Sequence, residues 1–191
     1  VYDGSCLIAE GGNLVASGPR FSFNDVSLTT AAVDLDLSVV RRQRSGDAAV
    51  LEGVPPGSEG KAPTVVQSPL EWNVAHAPSA LTPPAAWEVS RLLREEEFAR
   101  AQALGLFDYL RKSGALGFVV SLSGGADSSL VACLVRMMVG LSVNELGLSQ
   151  VIQRMGLKTA ARSLEELMPQ LLCTVYQSTA QSSQTTRHAA Q

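Results

Sequence analysis

The sequence is poor in cysteine, in histidine and in long apolar runs. Its three cysteines, Cys6, Cys133 and Cys173, lie far apart without C-x-x-C spacing and within apolar stretches. We therefore expect reduced, buried cysteines that act as small hydrophobic side chains. The two histidines, His76 and His188, have no cysteine or carboxylate cluster beside them, so neither is expected to bind a metal.

Neither a membrane span nor a basic nucleic-acid surface is predicted. No run of 18 apolar residues occurs, and the N-terminus lacks a charged-then-apolar signal pattern, so we expect a cytoplasmic chain without membrane association. The 15 basic and 18 acidic residues are interspersed, and the single basic cluster, 41–44, is interpreted as the solvated end of a linker. With 46% apolar residues the chain is typical of a soluble globular protein.

Residues 1–44 have the pattern of β-strands and turns. Ser5 to Ala9 and Leu14 to Ser17 flank a Gly-rich connection, which predicts a hairpin, and the alternation from Leu28 to Leu37 predicts another strand. Residues 45–86 are punctuated by prolines and are interpreted as a linker or wrapping segment. Because the chain opens on Val1 within a strand-like run and stops at Gln191 soon after a helix begins, we expect a segment of a longer protein.

Residues 87–191 alternate between helical and strand patterns, which is typical of an incomplete doubly wound α/β sheet. The predicted elements are a helix from Arg91 to Lys112, a strand from Leu116 to Leu122 buried on both faces, a buried helix from Ser129 to Val139 closed by Gly140, a weaker helix from Val143 to Met155, a short helix capped by Ser163 and Glu166, a strand from Leu171 to Tyr176 and a helix near Ser183.

A glycine pair separates the first of these strands from the apolar helix. Gly124 and Gly125 lack Cβ atoms, so the backbone can adopt positive φ and approach phosphate oxygens closely, presenting consecutive N–H groups to them. The helix N-terminus adds partial positive charge, and serine hydroxyls offer further donors. The predicted ATP- or pyrophosphate-binding residues are Leu122, Ser123, Gly124, Gly125, Ala126, Asp127, Ser128 and Ser129.

Asp127 is the one residue of this loop that would repel a polyphosphate. A divalent cation removes the conflict, so Asp127 is predicted to help hold Mg²⁺ together with the phosphates. A Walker A loop is excluded because no lysine lies near the turn. A nucleophile elbow is excluded because it requires glycine where Ser121 stands.

The loop matches S-G-G-x-D-S/T, the signature of the N-type ATP pyrophosphatases, and longer stretches resemble the glutamine-dependent NAD synthetase family. The stretches that carry this resemblance to the synthetase domain are Phe107 to Ser113, Gly117 to Ser129 and Thr174 to Thr179. Val1 to Ala9, Gly18 to Val26 and Ala32 to Leu35 resemble the closing strands of that family's nitrilase-like glutaminase domain.

The resemblance implies a fold, a domain order and a reaction. Residues 1–44 would be the last strands of the glutaminase, 45–86 the linker, and 87–191 the first part of a synthetase domain of adenine nucleotide alpha hydrolase-like type. The reaction implied is the ATP-dependent amidation of deamido-NAD (nicotinic acid adenine dinucleotide) to NAD, with ammonia from glutamine, giving AMP and pyrophosphate. ATP and Mg²⁺ would be required, and the family implies a homo-oligomer without a nucleic-acid partner.

The chain departs from the family pattern in its catalytic residues. The Cys, Glu and Lys triad of the family's glutaminase has no counterpart here, and Cys6, in an apolar strand without a suitable partner, is interpreted as structural. Ser182, Thr186 and Arg187 follow the second predicted strand and are weaker candidates for nucleotide contact. Two alternatives stay open: an asparagine- or GMP-synthetase type of enzyme, and an inactive truncated nucleotide-binding module.

Overall fold

The computed structural model describes residues 4–34, 36, 40, 83–178 and 183–189. The described residues form two compact units. The first, which we call the α/β unit, takes its residues from Val1–Ser5, Pro19–Ser27 and Pro84–Gln191, and the second, the hairpin unit, from Cys6–Gly18 and Leu28–Pro83. Most of the predicted linker, together with His76 and Ser182, lies outside the described residues.

The hairpin unit contains the predicted hairpin. Strands β1 (Leu7–Glu10) and β2 (Asn13–Ser17) pair antiparallel, with a register shift between Ile8 and Ala9. Gly11 and Gly12 have φ of 55° and 86°, and two successive positive φ values suit the tight turns that join hairpin strands. The sequence prediction of this hairpin is confirmed.

The strand expected from Leu28 onward is wrong for residues 28–34, which are irregular. Leu28 is 86% exposed, and the amide of Asp34 donates to Glu10 Oε1 instead of entering a ladder. Alternating sequence forms a strand only where a neighbouring strand and an apolar layer receive it. The described part of this unit supplies neither at Leu28.

The α/β unit contains two parallel strands with helices between them in the chain. Its elements are a short 3-10 helix (Ala86–Val89), α1 (Leu93–Ser113), β3 (Phe118–Ser121), α2 (Ala126–Leu146), α3 (Leu148–Arg154), α4 (Leu164–Leu171), β4 (Leu172–Val175) and α5 (Gln184–Ala189). Strands β3 and β4 pair in parallel from Phe118↔Leu172 to Ser121↔Val175. This confirms the mixed α/β class with a parallel sheet.

Local sequence explains where α1 and α4 begin and end. Helix α1 ends at Gly114, whose φ of 69° is the left-handed conformation that glycine adopts without steric cost. Helix α4 begins at Ser163, whose side chain accepts a hydrogen bond from the Glu166 amide, as predicted. The carboxylate of Glu166 in turn accepts the amide of Arg162.

Helix α2 is longer than predicted and is buried over one half only. It passes through Gly140 without a break and ends at Leu146, before Gly147 with φ of 80°. A glycine in a helix interior costs about 1 kcal/mol, which the packing around Met138 and Val139 offsets. The N-terminal half lies toward solvent, and Leu130 is 49% exposed, so the expected burial holds for the C-terminal half alone.

By length and composition α2 could also cross a membrane. Core helices of soluble proteins can have the same length and apolar composition, so these properties alone do not identify a membrane span. Its C-terminal half packs in the apolar core with α1 and α4 through Val135, Met138 and Val139.

Strand β3 and the cysteines are more exposed than predicted. Val120 is buried, but Val119 is 75% exposed, so burial on both faces is wrong among the described residues. Val119 pairs with Cys173 in the parallel register, and partners in register share a face, which leaves Cys173 exposed. Cys6 and Cys133 are free and exposed as well, because they lie beside an edge strand and on the outer half of α2.

Candidate phosphate-binding site

The predicted loop lies at the carboxyl end of β3, beside the end of β4. The amide of Leu122 donates to the carbonyl oxygen of Val175 at 2.8 Å, which extends the strand pairing by one hydrogen bond beyond β3. Ligands of open α/β sheets bind outside the carboxyl ends of the strands. The loop is therefore held at the sheet edge where a ligand site is expected.

The two glycines of the loop have different roles. Gly124 has φ of 79°, a conformation that side-chain-bearing residues rarely adopt. Gly125 has φ of −91° and ψ of 162°, which is ordinary extended backbone, so of these two glycines Gly124 alone uses the positive φ that glycine permits. A Cβ on Gly125 would lie 3.3 Å from Ser123 Oγ, so this glycine supplies space within the loop.

Helix α2 begins at the loop without a side chain that caps it. Gly125 occupies the N-cap position and offers no hydrogen-bonding side chain. The first-turn amides of Ala126, Asp127 and Ser128 are the ones an α-helix leaves without intrahelical acceptors. These donors and the positive end of the helix dipole favour an anion.

The serines fix the shape of the loop. The hydroxyls of Ser128 and Ser129 donate to the Gly125 carbonyl oxygen at 3.1 and 3.0 Å. Ser128 Oγ also accepts the Ser123 amide at 3.3 Å, and Ser123 Oγ accepts the Gly125 amide at 3.3 Å. In this conformation the hydroxyls of Ser128 and Ser129 stabilise the turn. The sequence had predicted that they donate to phosphate.

Asp127 lies exposed in the first turn of α2. Within the described part of the chain no group of three histidine, cysteine or carboxylate side chains is arranged to bind a metal. A single carboxylate fits Mg²⁺ that takes its remaining ligands from phosphates and water. The donor set therefore fits a cation that arrives with a polyphosphate.

The weaker candidates are only partly described. Thr186 and Arg187 belong to α5, but their side chains lie outside what the structure describes, as does the whole of Ser182. His188 is exposed on the same helix. The structure therefore gives no contact between these side chains and the loop.

Sequence reasoning did not foresee the packing of Pro19–Ser27 in the α/β unit. Phe23 of this segment enters the core beside Phe107, and the carboxylate of Glu145 accepts hydrogen bonds from it. These residues lie more than eighty positions apart in the chain, so no local pattern signals the contacts. The sequence signal used for this segment, the resemblance of Gly18 to Val26 to a nitrilase-like domain, did not predict these contacts.

Comparisons with known proteins point to one family. A family model described as NAD synthase matches residues 98–190. The glutamine-dependent NAD(+) synthetase of Oryza sativa subsp. indica is 36% identical over 99% of this chain and 26% of the relative, and that of Dictyostelium discoideum is 30% identical over 99% and 27%. The chain thus spans about a quarter of the length of these relatives.

A solved structure is similar over the whole chain. The crystal structure of a glutamine-dependent NAD(+) synthetase from Cytophaga hutchinsonii matches with a TM-score of 0.62 and 29% sequence identity. The match covers 100% of this chain and 25% of that one. Sequence and fold therefore agree on the same kind of protein.

Proposed function

Because this chain belongs to the NAD synthase family, we propose that it is the ATP-phosphate-binding part of an enzyme that converts deamido-NAD to NAD. ATP activates the nicotinate carboxylate as an adenylate and releases pyrophosphate. Ammonia, supplied from glutamine, then attacks the activated carbonyl carbon and expels AMP. The asparagine- and GMP-synthetase alternatives are disfavoured, because the relatives described above are NAD synthetases.

The observation that carries the proposal is the open N-terminus of α2 at the carboxyl edge of the parallel sheet. Leu122 fixes the start of the loop to β4, Gly124 turns the chain, and the amides of 126–128 point toward the turn from a helix without a side-chain cap. This arrangement suits the β- and γ-phosphates of ATP, whose negative charge grows as pyrophosphate leaves. The loop acts by position and charge, and residues 122–129 form the proposed site.

Asp127 would hold Mg²⁺ in the same site. The cation supplies positive charge that neutralises the phosphate oxygens. The chain's own contribution is a carboxylate in the first turn of α2, exposed to the solvent from which the nucleotide enters. Without a cation, the same carboxylate disfavours a polyphosphate by charge repulsion.

The rest of the chain is assigned to the longer protein. We propose that 1–44 ends a nitrilase-like glutaminase domain, that 45–86 links the domains, and that 87–191 begins the synthetase domain, in a cytoplasmic homo-oligomer. The hairpin of β1 and β2 is compatible with the first assignment. The glutaminase triad has no counterpart in this chain. We therefore assign the release of ammonia from glutamine to residues elsewhere in the longer protein.

Calorimetric titration of the 191-residue chain with pyrophosphate, in the presence and absence of Mg²⁺, tests the proposal. The chain is expected to bind pyrophosphate, and Mg²⁺ is expected to strengthen binding. Asp127→Asn should weaken binding in Mg²⁺ and slightly strengthen it without Mg²⁺, because the variant loses a cation ligand and a repelling charge together.

Glu165→Gln is the matched control, since Glu165 is also an exposed carboxylate in the first turn of a helix. It should leave both affinities unchanged. A folded wild-type chain that binds neither pyrophosphate nor ATP would contradict the proposed site. Turnover of deamido-NAD should be measured on the longer protein, because this chain spans only about a quarter of the length of its relatives.

A further inference from the structure

The segment Pro19–Ser27, which we call the strap, completes the core of the α/β unit. Phe23 is 5% exposed, and its ring meets that of Phe107 edge-on with 5.1 Å between the centroids. Residues on either side of the strap, 6–18 and 28 onward, are grouped with the hairpin unit. The strap therefore belongs to the α/β unit, although it lies far in sequence from the helices that it contacts.

The strap is bound to the C-terminal turn of α2 through Glu145. Its Oε1 atom accepts hydrogen bonds from Ser22 Oγ at 2.5 Å, from the Phe23 amide at 3.1 Å and from Asn24 Nδ2 at 2.8 Å. A carboxylate in the last turn of a helix is disfavoured by the helix dipole. The three donors from the strap compensate for this charge, so α2 and the strap stabilise each other.

Two further helices hold the strap. Arg154, which ends α3, donates to the Phe23 carbonyl oxygen at 2.8 Å and lies 3.5 Å from the Asp25 carboxylate. Arg111 of α1 pairs with the same carboxylate. The strap thus contacts α1, α2 and α3, and on α2 it contacts the end opposite the phosphate loop.

The docked strap contains a strained residue. Phe21 has φ of 53°, which is uncommon for a bulky residue. Its ring lies 5.8 Å from that of Trp87, and the guanidinium of Arg20 lies 5.2 Å from the Phe21 ring. These contacts hold Phe21 in a backbone conformation that it disfavours locally, so undocking of the strap would relieve this strain.

Helix α2 connects the strap to the loop. Its buried residues begin at Val135 and continue to Leu146, whereas Leu130 and Val131 near the loop are exposed. The loop end of α2 is therefore held by the hydrogen bond from Leu122 to Val175 and by the packing of the C-terminal half of α2, where the strap binds Glu145. We propose that docking of the strap and binding of a polyphosphate at residues 122–129 are thermodynamically coupled through α2. This inference rests on the proposed function of the loop.

The coupling is tested by two measurements on the full 191-residue chain. Hydrogen exchange is followed at the amides of the strap and of the loop, with and without inorganic pyrophosphate and Mg²⁺. Because coupling is reciprocal, pyrophosphate is expected to slow exchange in the strap. Glu145→Ala, which removes the shared acceptor, is expected to speed exchange in both segments and to weaken pyrophosphate binding about fivefold or more.

Two variants separate coupling from damage to the fold. Glu145→Gln keeps an acceptor oxygen and should fall between wild type and Glu145→Ala. Gln150→Ala changes an exposed residue of α3 that does not line the cavity beside the strap, and it should resemble wild type in both measurements. If Glu145→Ala proves unfolded by circular dichroism, the Glu145→Gln result decides.

The outcomes distinguish this inference from the function on which it rests. If wild type binds no pyrophosphate, the proposed function fails and the coupling fails with it. If wild type binds pyrophosphate, while Glu145→Ala exchanges faster in the strap yet binds equally well, only the coupling is overturned. Faster strap exchange together with weaker binding supports it.

Discussion

Gly117 and the backbone of Leu171 approach so closely that a Cβ atom on Gly117 would lie 2.6 Å from the Leu171 carbonyl oxygen. Gly117 immediately precedes β3, and Leu171 is the last residue of α4, directly before β4. The glycine therefore permits the contact through which the two parallel strands start side by side. The neighbouring atoms are backbone atoms, which cannot turn aside as a flexible side chain does.

Gly117→Ala is expected to lower the free energy of unfolding by about 1–3 kcal/mol, as overpacking does. The control is Gly105→Ala within α1, where a Cβ would meet nothing within 4 Å. That variant should raise stability by about 0.4–1 kcal/mol, because alanine restricts the unfolded chain. The free energy of unfolding of both variants is measured by urea unfolding. Equal changes in Gly117→Ala and Gly105→Ala would contradict the close approach of Gly117 to Leu171.

Gly124→Ala tests the conformation of the phosphate loop. With φ of 79° at this position, a side chain costs roughly 1–2 kcal/mol, and the loop should relax away from its binding shape. We expect pyrophosphate affinity to fall more than tenfold in calorimetry. Gly114→Ala places the same strain at the end of α1, with φ of 69°, and should reduce stability while leaving affinity unchanged.

Phe23→Ala tests whether the strap belongs to the core. Removal of a buried phenylalanine ring costs about 3–5 kcal/mol, and this cost should appear as a lower midpoint in urea unfolding. Phe98→Ala is the matched control, because Phe98 is 53% exposed and its loss should change stability by about 0.5 kcal/mol or less. Similar losses in both variants would show that the strap does not contribute to the core.

Ser163→Ala tests the start of α4 and the titration of Glu165. The pKa of Glu165 is lowered below its ordinary value, first by a hydrogen bond from its own backbone and then by one from Ser163. A carboxylate whose pKa is lower in the folded than in the unfolded state stabilises the fold at pH values above its unfolded pKa. This stabilisation is lost as the pH falls through the folded pKa. In Ser163→Ala the Glu165 pKa should rise toward 4.5, which NMR titration measures.

The same variant loses the helix cap at every pH. Ser163 accepts the amide of Glu166, and replacement of a serine cap by alanine costs about 1 kcal/mol. This loss should persist at neutral pH in thermal unfolding. An unchanged Glu165 pKa together with lost stability would assign the effect to the cap alone.

The sequence predicted those features that depend on neighbours in the chain. The hairpin turn at Gly11 and Gly12, the Ser163 cap and the strand–loop–helix order around Gly124 each follow from short patterns with a local physical cause. The conformation of Gly125 did not follow, because both glycines permit many backbone angles and the surrounding serines select among them. The order of strand, loop and helix was thus predicted correctly, whereas the backbone geometry inside the loop was predicted only in part.

Features that depend on distant residues could not be predicted. Glu145 binds a backbone amide 122 positions away, and no periodicity records such a contact. The prediction that Val119 and Cys173 are buried was wrong. An apolar sequence shows that a strand can be buried, whereas its burial depends on other elements that cover it. The sequence predicts a helix end at Gly140, yet packing around Val139 continues the helix through it.

The hydrogen bond from Leu122 to Val175 joins two segments that are far apart in the chain, which has a consequence for folding. Strands β3 and β4 are separated in the chain by α2, α3 and α4, whose own hydrogen bonds are local. Closing so long a connection is slow, so strand pairing is expected late in folding. During synthesis, the loop at 122–129 stays without its anchor until the ribosome has released Val175.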